Sequence, residues 1–164
     1  MVYECQGQCE QAIEYYQQDL IIAREFGDLR GEGSALGSLG VAYYNLGQYE
    51  QAIDCYQKHL NTSRESGDRN GEGIALVNMG ETQLKLGHYP ESLANNQAAL
   101  EIFQAIGNRA DESEALKNLA ALHQALGEME VARQCCQQAL ALATELGIPL
   151  QEECEKLREE LGEG

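Results

Sequence analysis

The feature that most constrains this chain is a repeat of fixed length. Glycines at 27, 67, 107 and 147 stand forty residues apart, and a second glycine series, Gly7, Gly47, Gly87 and Gly127, keeps the same spacing. Residues 27–66 and 67–106 share 13 identities, and 67–106 shares 11 with 107–146. Chance would give roughly three at this composition. A constant period of this size without insertions predicts a solenoid, in which each unit buries its apolar face only against its neighbours.

Within each block the apolar residues follow helical spacing twice. Ala35, Leu36, Leu39, Ala42, Tyr43 and Leu46 fall at i, i+3, i+4 and i+7, and so do Tyr49, Ala52, Ile53, Tyr56 and Leu60. The stretches LGQY, LGHY and LGEM separate the two patterns, and their glycines suit the left-handed residue that closes a helix. Pro90 stands at the start of the second pattern of its block, where its missing N–H costs nothing. The expected fold is all-α, a right-handed α-solenoid of antiparallel helix hairpins. Its expected parts are residues 1–26 as the second helix of a partial repeat, full repeats at 27–66, 67–106 and 107–146, and a capping helix within 147–164.

The crowded glycines of GDRNGEGIALVNMG invite a phosphate-binding reading. Neither GEGSALG nor GEGIALV completes a GxGxxG or GxxxxGK[ST] motif, and no strand precedes them. In the third block the same positions read Asp111, Glu112 and Ser113. Gly40 and Gly80 sit inside helices, where glycine costs about 1 kcal/mol. Close approach of two helices would compensate, with Ala120 in the same role in the third block.

These residues resemble the tetratricopeptide repeat (TPR) family. The pattern of a large apolar residue, Leu-Gly and Tyr, followed by Ala, an aromatic and Ala, is met by Leu36, Leu39, Gly40, Tyr43, Ala52 and Tyr56. The second repeat keeps Leu76, Met79, Gly80 and Ala99 but departs at Gln83, Ser92 and Asn96. The third keeps Leu116, Leu119, Ala120, Ala132 and Ala139 and departs at His123 and Cys136. The forty-residue unit is similar to the longer repeats of Pins-type scaffold proteins and of bacterial multi-repeat proteins.

The resemblance implies a protein-interaction module, a scaffold or adaptor whose first helices line a concave groove that holds a peptide segment. It places Val41 and Tyr44 in that groove, then Val77, Asn78, Leu84 and Lys85, then Lys117 and Asn118. Asn78 and Asn118 would pair with the main chain of an extended ligand, because an amide both donates and accepts. Tyr44, Val41, Val77 and Leu84 would give apolar contact, and Lys85 and Lys117 would orient acidic side chains. The family's carboxylate clamp is not expected, since Val77, Glu81 and Glu114 occupy places that basic and amide groups would need.

Composition narrows the partners. Eleven basic against 27 acidic residues give a formal net charge of -16, which disfavours nucleic acid and anionic membrane surfaces. The groove positions themselves balance Glu81 and Glu114 against Lys85 and Lys117. Six scattered cysteines without a CxxC pair read as reduced thiols of a cytoplasmic protein. Three histidines, one per repeat, do not converge with them, so no metal or other cofactor is expected. No serine stands in a recognisable nucleophile–base motif, and the chain is not expected to be an enzyme. In the tail, Leu150, Cys154, Leu157 and Leu161 make one apolar stripe backed by glutamates, as a terminal cap requires. At the other end Ile13, Tyr16 and Leu20 would be partly uncovered, offering a self-association face. A second reading is therefore a structural spacer or self-assembling segment with no peptide ligand.

Overall fold

The structure, a computed structural model, describes residues 2–162, with side chains from Cys9 onward. Its elements are α1 (Val2–Phe26), α2 (Leu29–Asn45), α3 (Tyr49–Ser66), α4 (Arg69–Leu86), α5 (Tyr89–Ile106), α6 (Arg109–Ala125), α7 (Met129–Leu146) and α8 (Leu150–Glu160). No strand occurs among the described residues. Helices α2 and α3, α4 and α5, and α6 and α7 form the three hairpins, and each hairpin packs on the next. In addition α2 touches α4, α4 touches α6 and α6 touches α8, whereas α3, α5 and α7 do not touch one another among the described residues. The first helices of the repeats are thus the closer-spaced row, and they form the inner wall of a curved stack. The chain is an all-helical α-solenoid of hairpins, as its period predicts.

Two glycines per repeat reverse the chain. Gly67 ends α3 with φ 71° and Gly87 ends α4 with φ 75°, a region that other L-residues enter only with strain. The glycine-rich phrase after each turn from a back helix to the next front helix has three structural tasks. Asp68 accepts a hydrogen bond from the Gly71 N–H at 3.0 Å and so caps α4, as Asp28 and Asn108 cap α2 and α6. Gly71 and Gly73 leave room for neighbours, since a Cβ on them would stand 2.6 Å from Ser63 Oγ and 2.6 Å from the Phe103 ring. Glu72 then ties the repeat to its predecessor. Its carboxylate accepts from Arg64 Nε at 2.8 Å and from Arg69, and Glu32 accepts from Arg24 in the same register. Capping, packing and stitching account for the phrase without any phosphate.

Front and back helices meet through size-matched pairs. A Cβ on Gly40 would overlap the Tyr56 ring, and one on Gly80 would overlap the Asn96 amide. In the third repeat the front residue is Ala120, and the residue facing it shrinks to Cys136 within one buried cluster. The glycines inside α2 and α4 are therefore there for close approach, as their sequence context suggests.

The ends differ from the middle. Cap helix α8 buries Leu150 and Cys154 against α6 and α7, and Leu161, just past its end, packs with Ala120 and Cys136. At the N-terminus α1 runs unbroken through Gly7, where the forty-residue period would put a turn. Ile13, Tyr16 and Leu20 are half-buried against α2, while Tyr15, Ile21, Ile22 and Phe26 are the exposed large apolar residues among the described side chains of this helix.

The size matching can be checked by a double-mutant cycle in urea. Gly80→Ala alone is expected to lose about 1–3 kcal/mol through overpacking. The pair Gly80→Ala/Asn96→Cys, which copies Ala120 and Cys136, should regain most of that loss and also removes the unpartnered Asn96 Oδ1. Simple additivity of the two changes would refute the pairing.

Candidate peptide-binding groove

The inner wall formed by α2, α4 and α6 carries the candidate site, and its two halves differ. In the N-terminal half, between α1, α2 and α4, lies a cavity of about 690 Å³. Val41, at 44% exposure, and the half-buried Asn78 both line it, together with the Ser34 and Ser38 hydroxyls. Of the eight residues expected in the groove, the structure brings these two together around one cavity.

The other six are placed differently. Tyr44 is half-buried and its hydroxyl donates to Glu81 Oε1 at 2.7 Å. Burial, then the hydrogen bond to Glu81 and its charge, push the phenol far above its ordinary pKa. Tyr44 also packs on Tyr49 with ring centroids 5.5 Å apart, so it braces two helices. Val77 is a correction to the expected groove set. It is 5% exposed and belongs to the central apolar core, because the back helix of that repeat carries the small Ala99 and leaves space for it. Leu84 is half-buried and Lys85 exposed.

Lys117 is a second correction, for its amino group is already engaged. It bonds Glu114 at 2.6 Å and Glu153 of the cap helix at 3.0 Å. Burial works against its charge, but the two carboxylates outweigh that and hold its pKa above the ordinary lysine value. Burial likewise raises Glu114, with Lys117 opposing. Asn118 is 4% exposed, so the amide equivalent to Asn78 is not presented as openly. The C-terminal half of the wall is thus closed by its own ion pairs and by α8.

One residue of the cavity escaped sequence reasoning. His59, on back helix α3, lines the cavity although it is only 7% exposed. It reaches the inner side because α2 has glycine at two positions over it. A Cβ on Gly33 would stand 3.2 Å from His59 Cδ2, and one on Gly37 would stand 3.1 Å from Nδ1. The signal was present in the aligned repeats. Gly37 corresponds to Val77 and Lys117, and His59 to Ala99 and Ala139, an exchange of bulk between front and back helix.

Burial lowers the His59 pKa from the usual 6.5, with Asp68 opposing the shift. The folded state therefore binds fewer protons here than the unfolded chain, and stability must fall as the pH drops below 6.5 toward the lowered value. Urea denaturation at pH 7 and pH 5 should show a larger acid loss for the wild type than for Gly37→Val/His59→Ala. Equal losses would remove His59 from the account.

Comparison with known proteins places the chain. A tetratricopeptide-repeat model matches residues 1–65, 31–105 and 71–145. No curated protein matches it in sequence. Among solved structures it is similar to BtubC (BKLC) from P. vanneervenii, with TM-score 0.82, 19% identity, and 96% of this chain aligned to 68% of that one. It is also similar to aspartyl phosphate phosphatase F from Bacillus subtilis, with TM-score 0.87 and 19% identity. There the alignment takes 96% of this chain but 42% of the phosphatase. Nearly identical TPR-like repeats from Podosopora anserina align at TM-score 0.67 and 17% identity, over 94% of this chain and 86% of theirs. At these identities the structural likeness speaks for the fold alone. With the repeat model covering nearly the whole of it, the chain belongs to the tetratricopeptide-repeat family.

Proposed function

We propose that this protein is a cytoplasmic, non-catalytic adaptor or scaffold module that binds a peptide segment of a partner protein in its concave groove. Tetratricopeptide repeats generally serve protein–protein interaction, and the observation that carries the finer reading is the open cavity on the inner wall with Asn78 and Val41 beside it. The Asn78 amide offers a donor and an acceptor to a passing main chain, and Val41 offers apolar contact. Asn118 is the equivalent amide of the next repeat and the second of the pair that would meet the ligand main chain. Lys85 faces solvent and can meet an acidic flank of the ligand, whereas Lys117 serves the cap. Among the described residues no group of three or more His, Cys, Asp or Glu side chains is placed to hold a metal ion, and no helix is long and apolar enough to cross a membrane.

A second reading has its own observation. Tyr15 and Ile22 are 67% and 53% exposed on α1, although their repeat equivalents Cys55 and Ile102 are buried. In that reading α1 pairs with a second copy and the repeats act as a structural spacer.

Selection from a displayed random-peptide library, followed by calorimetry of the best peptide, tests the first reading. Asn78→Ala/Asn118→Ala should weaken the peptide roughly tenfold or more, at about 1 kcal/mol per lost amide contact. Unchanged affinity would move the binding site off the inner wall. For the second reading, light scattering should show a mass that rises with concentration and returns to the monomer in Ile22→Glu/Phe26→Glu. A monomer at all concentrations would end it.

A further inference from the structure

In the second and third repeats the inner helix carries the bulk, as Val77 and Lys117, and the back helix supplies Ala99 and Ala139, both fully buried. The first repeat reverses this order. Gly33 and Gly37 open a window in α2, and the His59 ring lies against it from behind. The ring is 93% buried, lines the cavity, and its Nδ1 has no hydrogen-bond partner among the described residues. A buried polar atom left unpaired is destabilising. A valine over an alanine, as in the next repeat, would fill the same space without that cost. An imidazole at this place is explained if something in the cavity uses it.

The lining says what that something is. Asp68 is the one carboxylate among the described lining residues, and neither lysine nor arginine is among them. Asp68 Oδ1 takes the Gly71 amide hydrogen, and Oδ2 has no hydrogen bond among the described residues. Asn45 and Asn78 add amide oxygens, Asn70 adds one that already accepts from Asn108 Nδ2 at 2.7 Å, and Ser34 and Ser38 add hydroxyls. Lys117 is committed to Glu114 and Glu153, and the chain as a whole carries -16. An anion in this cavity would meet a carboxylate with no countercharge. A cation with N–H donors would meet acceptors on several sides, beside apolar walls from Ala12, Val41 and Ile74 that suit an aliphatic stem.

We propose that the cavity receives a basic side chain, arginine or lysine, from the peptide segment lying in the groove, with Asp68 as countercharge and the His59 imidazole as an acceptor. The inference rests on the groove reading and adds the partner's chemistry to it. Burial keeps the imidazole neutral near pH 7, so one ring nitrogen is an acceptor and no positive charge opposes the ligand.

The probes are blocked alanine-based hexapeptides with a central Arg, Lys, Leu or Glu, titrated into the full chain with calorimetry and imidazole nitrogen NMR. The Arg and Lys peptides should bind at least tenfold tighter than the Glu peptide and should move the His59 ring resonances. Gly37→Val/His59→Ala copies the packing of the second repeat and leaves the net charge unchanged. It should lose the basic preference while the Leu peptide still binds. A preference that survives this exchange is long-range attraction to an acidic chain and overturns the proposal. So does an Arg peptide that binds the wild type without shifting the ring, a readout that decides the matter even if the exchange variant fails to fold. If the Leu peptide binds in an Asn78-dependent way with no preference for a basic residue, the groove reading stands and the basic anchor falls. If none of the four peptides binds, both fall.

Discussion

The contact on which the rest of this structure depends is the close meeting of front and back helix inside each hairpin. Gly40 lies against the Tyr56 ring, Gly80 against the Asn96 amide, and Ala120 shares a buried cluster with Cys136. Interior packing tolerates neither overlap nor void, so a small residue on one helix demands a matching residue on the other. Holding this spacing alike in three hairpins keeps each repeat the same shape, and stacking identical shapes gives a regular curve. The concave wall exists because α2, α4, α6 and α8 follow one another in contact while the back helices are held apart.

Between repeats the connection is polar. Arg24 to Glu32 and Arg64 to Glu72 span the short turn from a back helix to the next front helix, and Gln104 to Glu112 does the same with a neutral donor. The arginines are more than half exposed, so each bridge contributes little energy by itself. Their value is directional, since they fix the angle at which successive hairpins join. Asp28, Asp68 and Asn108 cap the helices at the same junctions. A phrase that looks like a nucleotide loop is in this way a joint between rods.

What remains for recognition is the surface that packing does not consume. The second half of the inner wall spends its polar groups internally, in the Glu114–Lys117–Glu153 chain that fastens the cap helix. In the first half the Tyr44–Glu81 hydrogen bond joins α2 to α4, but the cavity is left open. There the glycine window and the short side chains of Ser34 and Ser38 leave a cavity with acceptors on its walls. The asymmetry between halves follows from one exchange of volume, histidine behind and glycine in front, set against alanine behind and valine or lysine in front.

By itself the sequence determined the period, the two helices of each repeat, their caps and turns, and the internal glycines as packing sites. These depend on neighbours within about one helical turn, on left-handed glycine, or on the comparison of one repeat with the next, all of which are written locally. Only the tertiary structure decided which inner-wall residues stay free. Lys117 is bound by a carboxylate 36 residues away and Tyr44 by one 37 away, while Val77 sinks into the core because Ala99 leaves it room. His59 lies on a helix assigned to the back of the stack and reaches the groove through two missing side chains on another helix. Such placements follow from volumes and charges contributed by different repeats, and those meet only once the stack has formed.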